Sequence, residues 1–200
     1  MMSMKTRTTL ATLAIAALLL TTSLFSAQAQ SAYRCTATQT TVSGTSTLHD
    51  WDMISANVQT TASFTVEGNQ VTKINTLSFT VAAESLKSDR SGLDKNAYKA
   101  LDTDKHKNIA FKMTSGTITS TGNNTFEVKA TGNLIIAGTS KQTTITANGQ
   151  FNPSDKSISV NGSTKFKMTG YNVKPPTVMM GTIKTGDDIT VAYSGKLTAQ

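Results

Sequence analysis

From Thr125 the apolar and polar positions of the chain alternate strictly. Phe126, Val128, Ala130, Gly132, Leu134 and Ile136 fall on one side, and Glu127, Lys129, Thr131 and Asn133 on the other. A period of two marks a strand with one buried and one wet face. The pattern returns in residues 157–168, where Ile158, Val160, Gly162, Phe166 and Met168 oppose Ser159, Asn161, Ser163, Lys165 and Lys167. Near the end it places Ile189, Val191, Tyr193, Gly195 and Leu197 together. Weaker versions hold Val71, Leu77, Phe79 and Val81; Ile109, Phe111 and Met113; and Ile145, Ala147, Gly149 and Phe151. Two further stretches, 32–42 and 51–66, are strand-like but less regular. Turn residues at 67–70, 121–124, 152–155 and 184–188 separate the runs. About eight strands joined mostly by short hairpins make an antiparallel meander.

One segment changes period. Leu93, Ala97, Ala100 and Leu101 recur at helical spacing, with Asp94 in the first turn and Ser91 placed to cap it. The spacing predicts a single helix near 92–103, set to cover one open end. No repeat, low-complexity tract or second domain interrupts the rest.

Closing eight such strands into a barrel removes the sheet edges and leaves room inside for side chains or one small ligand. The inward positions include Ala130, Gly132, Ala147, Gly149, Gly162 and Gly195. A packed interior wants volume at most of these places. So many small residues argue for a cavity; the alternative is that the glycines are bulges or kinks that let the strands coil.

The N-terminus has a different character. Lys5 and Arg7 precede the apolar run Leu10 to Leu20, and Ala27-Gln28-Ala29 fits a small-x-small cleavage site. This is the form of a secretory signal peptide over 1–29, too short an apolar run to span a membrane. A domain of residues 30–200 remains. Two of the 19 Lys and Arg residues and none of the 12 acids precede residue 30, so 17 bases against 12 acids leave +5. The bases are interleaved with acids, without the aromatic–basic pattern of a nucleic-acid platform. Cys35 stands alone and cannot close a disulfide within the chain; it reads as a small apolar residue.

Several stretches together resemble a known family. They are "LSFTVAAESLKSD", "YKALDTDKHKNIAFKM", "FEVKATGNLIIAGTSKQ" and "KPPTVMMGTIKTGDDITV", in that order, with "GTSTLHDWD" where the family carries a similar His-containing stretch. The chain is similar over nearly all of 31–198 to the YceI-like family of secreted lipid-binding barrels. The resemblance implies an all-β, eight-stranded antiparallel lipocalin-like barrel with one covering helix. It also implies a long polyisoprenoid in an apolar tunnel, its polar head at the mouth, and a periplasmic location. The chain departs from the family at Lys105-His106-Lys107, where Lys-aromatic-Pro is usual, which bears on the head group tolerated.

The stretch "HDWD" invites three readings. Extended, it sends His49 and Trp51 to one face and Asp50 and Asp52 to the other, so neighbours cannot form a catalytic dyad. Nothing nominates a nucleophile for His49. The two histidines and one cysteine show no metal-ligand spacing, so neither a catalytic nor a metal site is expected. The third reading puts His49 and Trp51 inward near an opening, as scaffold first and ligand contact second. The basic residues around the helix, Lys87, Arg90, Lys95, Lys99, Lys105 and Lys107, could attract an anionic head group but are largely balanced by acids. Met179 and Met180, after Pro175-Pro176, read as packing under a loop or as a soft wall for the ligand.

The expected function is a non-enzymatic lipid-binding protein that holds or carries one long apolar lipid and needs no cofactor beyond it. The expected lining is Phe79, Phe111, Met113, Leu134, Ile136, Ile145, Phe151, Phe166 and Met168, with His49 and Trp51 near an opening. Two alternatives stand behind it: a structural or interaction barrel with a dry core, and an enzyme acting on a lipid-like substrate. The expected partner is a hydrophobic ligand, with no nucleic acid and no membrane span; a homodimer is left open.

Overall fold

The computed structural model describes residues 30–200; the expected signal peptide lies outside them. Ten strands form, as β1 (Gln30–Ser46), β2 (Trp51–Ser55), β3 (Val58–Glu67), β4 (Gln70–Ala82), β5 (Asn108–Gly122), β6 (Thr125–Ile136), β7 (Thr139–Phe151), β8 (Ile158–Lys167), β9 (Thr177–Val178) and β10 (Ile183–Ala199). One helix, α1 (Ser91–Leu101), interrupts them. Every pairing is antiparallel. Strands β1, β3, β4, β5, β6, β7, β8 and β10 follow one another in a ring that β1 and β10 close. This is the expected eight-stranded, lipocalin-like barrel.

Strand β6 shows why. Its six predicted inward residues, Phe126 to Ile136 at every second position, are all buried, while Glu127, Lys129, Asn133 and Ile135 are exposed. Tight turns set the register. Gly122, Asn123 and Asn124 take positive φ between β5 and β6, as Ala137 and Gly138 do between β6 and β7.

Three expectations need correction. The stretch 51–66 is two strands: both pair with β1, and the chain breaks step at residues 56–57. Residues 184–188 are no turn but part of β10, where β1 and β10 lose register between Gly44/Ile189 and Ser46/Thr185. This wide bulge absorbs the loop-like composition. Ser91 does not cap the helix, for Arg90 occupies that position without a side-chain hydrogen bond. The buried Asp94 carboxylate instead accepts from the Ser88 backbone N–H (2.8 Å) and hydroxyl (2.7 Å). Burial pushes the Asp94 carboxyl up, but those hydrogen bonds and Lys87 outweigh it and hold the group low. The helix stops where Asp102 turns left-handed, φ 49°.

The ring has two different ends. The β3–β4, β5–β6 and β7–β8 connections lie at one, and aromatic side chains plug it. Tyr33 meets Phe64 edge-on at 5.5 Å, and Phe126 and Phe151 are 2% exposed. At the other end lie the β1–β2 turn, α1 and the crossing from β8 to β10.

Candidate functional site

Above the aromatic floor the barrel encloses a cavity of about 440 Å³. Its wall runs on β1 from Cys35 to Ser46 and on β10 from Leu197 to Thr185. Eleven residue steps on β1 are about 35 Å at roughly 3.3 Å each. A strand tilt of about 40° makes that a depth of about 25–30 Å. A volume of this size over such a depth is a narrow tunnel. The wall is aliphatic and aromatic, with a few threonines; Arg90 is the one cation on it among the described residues.

The eleven residues singled out from sequence divide in two. Phe79, Leu134, Ile136, Ile145, Phe166 and Met168 line the tunnel, and His49 and Trp51 line it near the open end. Phe111, Met113 and Phe151 do not. Phe111 is inward and buried, but the ring of its register partner Phe79 stacks on it at 5.3 Å, and Phe79 and Leu134 make the wall there. The Met113 sulfur fills the space beside Gly116, 2.8 Å from where a Cβ would stand. Phe151 belongs to the floor, against β8.

Three of the inward glycines leave no empty space. A Cβ on Gly132 would stand 2.3 Å from the Lys112 carbonyl, opposite the bulge at 113–115. On Gly149 it would strike the Phe126 ring at 2.4 Å, and on Gly162 the Thr146 carbonyl at 2.5 Å. These three are close approaches. The tunnel's width comes instead from Ala130, Ala147 and Gly195, with Ala97 and Ala100 of the helix above.

The open end is built from the β1–β2 turn and α1. Ser46 staples the turn: its hydroxyl donates to the His49 carbonyl at 2.7 Å and accepts from the N–H groups of Leu48 and His49. Trp51 lies against Gly44, its register partner, and donates its indole N–H to the Thr45 carbonyl at 3.1 Å. The His49 ring is fixed from both sides. Nδ1 sits 2.7 Å from the Asp50 carbonyl, an acceptor only, so Nδ1 carries the proton. Nε2 is then a lone pair, and it accepts from the Arg90 guanidinium. Asp50 and Asp52 are exposed outside, so no acid backs the ring. The His49 side chain thus meets the Arg90 guanidinium, and the Ser46 hydroxyl beside it bonds only to backbone groups of the turn. Among the described residues no group of three or more His, Cys, Asp or Glu side chains converges.

Sequence reasoning assigned no tunnel role to Leu93, Asn96 or Tyr193. Leu93 carried a signal in the helical spacing and Tyr193 in the alternation of β10; Asn96 carried none. Arg90 was one of many balanced charges. Only its meeting with His49, 41 positions away, sets it apart. His106, the departure from the family pattern, rests its ring on Gly138 in the β6–β7 turn and is off the tunnel wall. Met179 and Met180 neither pack under a loop nor line the tunnel, since both are exposed, while Pro176 and Val178 beside them do line it.

A family model, that of the YceI-like domain, matches residues 26–197. The chain belongs to the YceI-like family. Its barrel superposes on that of Burkholderia cenocepacia BcnA with a TM-score of 0.62 at 13% identity, covering 80% of this chain and 95% of BcnA. A polyisoprenoid binding domain from Saccharophagus degradans, implicated in plant cell wall breakdown, gives 0.58 at 12% identity, covering 85% and 99%. A Campylobacter jejuni YceI protein gives 0.52 at 17% identity, covering 70% and 81%. Likeness at such identities carries the fold. Among curated proteins no sequence match was found.

Proposed function

We propose that this YceI-like barrel binds one long apolar lipid, a polyisoprenoid chain, lengthwise in the tunnel, and holds or carries it without chemistry. One observation carries the reading: a narrow tunnel about 25–30 Å deep whose wall is apolar from the floor to His49 and Arg90. A compact ligand would leave most of that depth empty, whereas an extended chain fills it. Each methylene withdrawn from water contributes about 0.8 kcal/mol, so tens of carbons bind firmly with few polar contacts. The Saccharophagus domain, by its description a polyisoprenoid binder, shares the barrel and supports the same ligand class here. Arg90, with His49 orienting it, offers donors to an anionic head at the mouth.

The basic and apolar pattern of residues 5–29 supports export to the periplasm. Among the described residues no helix is long and apolar enough to cross a membrane. Native mass spectrometry of the exported protein, with organic extraction of what it releases, tests the reading. A reproducible one-to-one lipid adduct is expected. A bare mass that stays unchanged after incubation with isoprenoid lipids would overturn it in favour of a dry barrel.

A further inference from the structure

Large apolar side chains are exposed at few places among the described residues, and three of them stand at the open end of the barrel. Leu48 is 65% exposed, Met179 72%, and Met180 fully. They stand on two turns that are tied together. The Thr47 N–H donates to the Lys184 carbonyl at 2.9 Å, and the Lys184 N–H donates back to the Thr47 hydroxyl at 3.1 Å. The second turn is the tip of the β9–β10 hairpin, where Val178 pairs with Ile183.

That tip is held in an unusual shape. Met179, Met180 and Gly181 take φ of 51°, 53° and 89° in succession. Side chains other than glycine avoid this region, and it persists only where the surroundings impose it. Here the hairpin ladder and the bond from the Thr185 N–H to the Pro176 carbonyl, 3.0 Å, impose it. The outcome is two methionines aimed away from the barrel, next to Val178 and Ile183, which line the tunnel.

The charge pattern around the tip says what it faces. Residues 175–183 carry no charge and are bracketed by Lys174 and Lys184, both exposed. Neither lysine enters an ion pair among the described residues, whereas the acids that follow, Asp187 and Asp188, are both engaged by Lys167. Asp50 is the acid nearest Leu48 in sequence, and it is exposed. Apolar tips flanked by unpaired cations are the composition of a segment that lies in the interface of an anionic bilayer. Protruding side chains continuous with an apolar tunnel also let a lipid chain pass from bilayer to barrel without crossing water.

We propose that the Leu48 and Met179–Met180 turns seat the tunnel mouth on an anionic bilayer surface, so that the barrel loads and unloads its lipid there. This rests on the lipid-holding reading above. The test is flotation of the purified protein with phosphatidylcholine vesicles, with and without phosphatidylglycerol. A separate measurement follows uptake of an isoprenoid added from ethanol without vesicles.

Partition onto the anionic vesicles is expected, and weaker partition onto the neutral ones. It should fall about fivefold for each lysine lost in K174Q/K184Q, the factor for about 1 kcal/mol per charge near such a surface. Replacing both methionines in M179N/M180G, residues that tolerate left-handed backbone, should abolish partition and leave uptake from ethanol intact. Partition by M179N/M180G equal to that of the parent would overturn the proposal, as would a parent that loads from ethanol yet ignores both vesicles. Equal affinity for the two compositions would overturn the charged part of it. Failure to load from ethanol strikes the lipid-holding reading instead.

Discussion

Tyr193 reaches over Gly162, its register partner on β8, and donates a 2.7 Å hydrogen bond to the Thr146 carbonyl of β7. The bond crosses a seam. β7 and β8 pair only between Asn148–Phe151 and Ile158–Asn161; above that, β7 is laddered to β6 and β8 to β10. Tyr171, 2.8 Å from the Thr143 hydroxyl, straps the same seam higher up. Burial pushes the Tyr193 phenol up to about 12, so it stays a neutral donor through ordinary pH. Tyr193→Phe is expected to cost about 1 kcal/mol in urea melts, the usual worth of one such bond. In the parent, the strap's contribution should persist below pH 10 and disappear as pH rises through about 12. An ultraviolet titration of Y193F that retains the parent's highest tyrosine transition would contradict this.

Gly44 has no space for a side chain, since a Cβ there would stand 2.3 Å from Trp51 Cζ2. Gly44→Ala must displace the indole and break its bond to the Thr45 carbonyl. A loss of about 1–3 kcal/mol is expected for such overpacking. Thermal melts together with a red-shifted emission from Trp51, the single tryptophan of the chain, would report it.

Phe166 and Phe151 separate wall from floor. Phe166 lines the tunnel, edge-on to Tyr171 at 5.2 Å. Phe166→Arg is expected to fold and to lose lipid retention, because it puts a charge in an apolar tunnel. Phe151→Ala should cost about 3–5 kcal/mol, as buried Phe deletions do, while a protein kept folded by low temperature still takes up lipid. Retention of lipid by folded F166R would remove Phe166 from the wall.

Acid should loosen the structure in a definite window. The Asp155 carboxyl is held down to about 2, first by the Ser157 hydroxyl and backbone N–H at 2.6 and 3.0 Å and then by Lys196. Asp94 and Asp187 are also held low, Asp187 mainly by the Thr169 N–H and hydroxyl. Groups depressed by folding stabilise it above their unfolded pKa of about 4, and the stabilisation is lost as pH falls through the folded value. Melting temperatures should therefore drop between pH 4 and 2, and less steeply in Asp155→Asn. An identical drop in D155N would exclude Asp155 from it.

Alternation settled which side of the regular strands is dry, as in β6, but not that the less regular stretch 51–66 is two strands, both laddered to β1. The reason is geometric: successive side chains of a strand point to opposite faces, so a period of two gathers the apolar ones on one side, and closing the strands into a ring removes the exposed edges. The helix was equally plain, because Leu93, Ala97, Ala100 and Leu101 can share a face only at helical spacing. The small inward residues did not mark out the tunnel in the same way. Gly132, Gly149 and Gly162 suggested empty space, yet each is small because a carbonyl or a ring from another strand already stands there.

What the tertiary structure alone decided are the matters that depend on distance between strands. Whether Phe111 or Phe79 meets the tunnel turns on which ring lies over the other, and their alternation is identical. Arg90 and His49 meet across 41 positions, where the segment before α1 bridges to β2 through Lys87 and Ile54, a contact that no local pattern encodes. Met179 and Met180 are apolar residues in an apolar stretch, which composition reads as buried. Their left-handed backbone, imposed by a ladder between residues five apart, turns them to the outside.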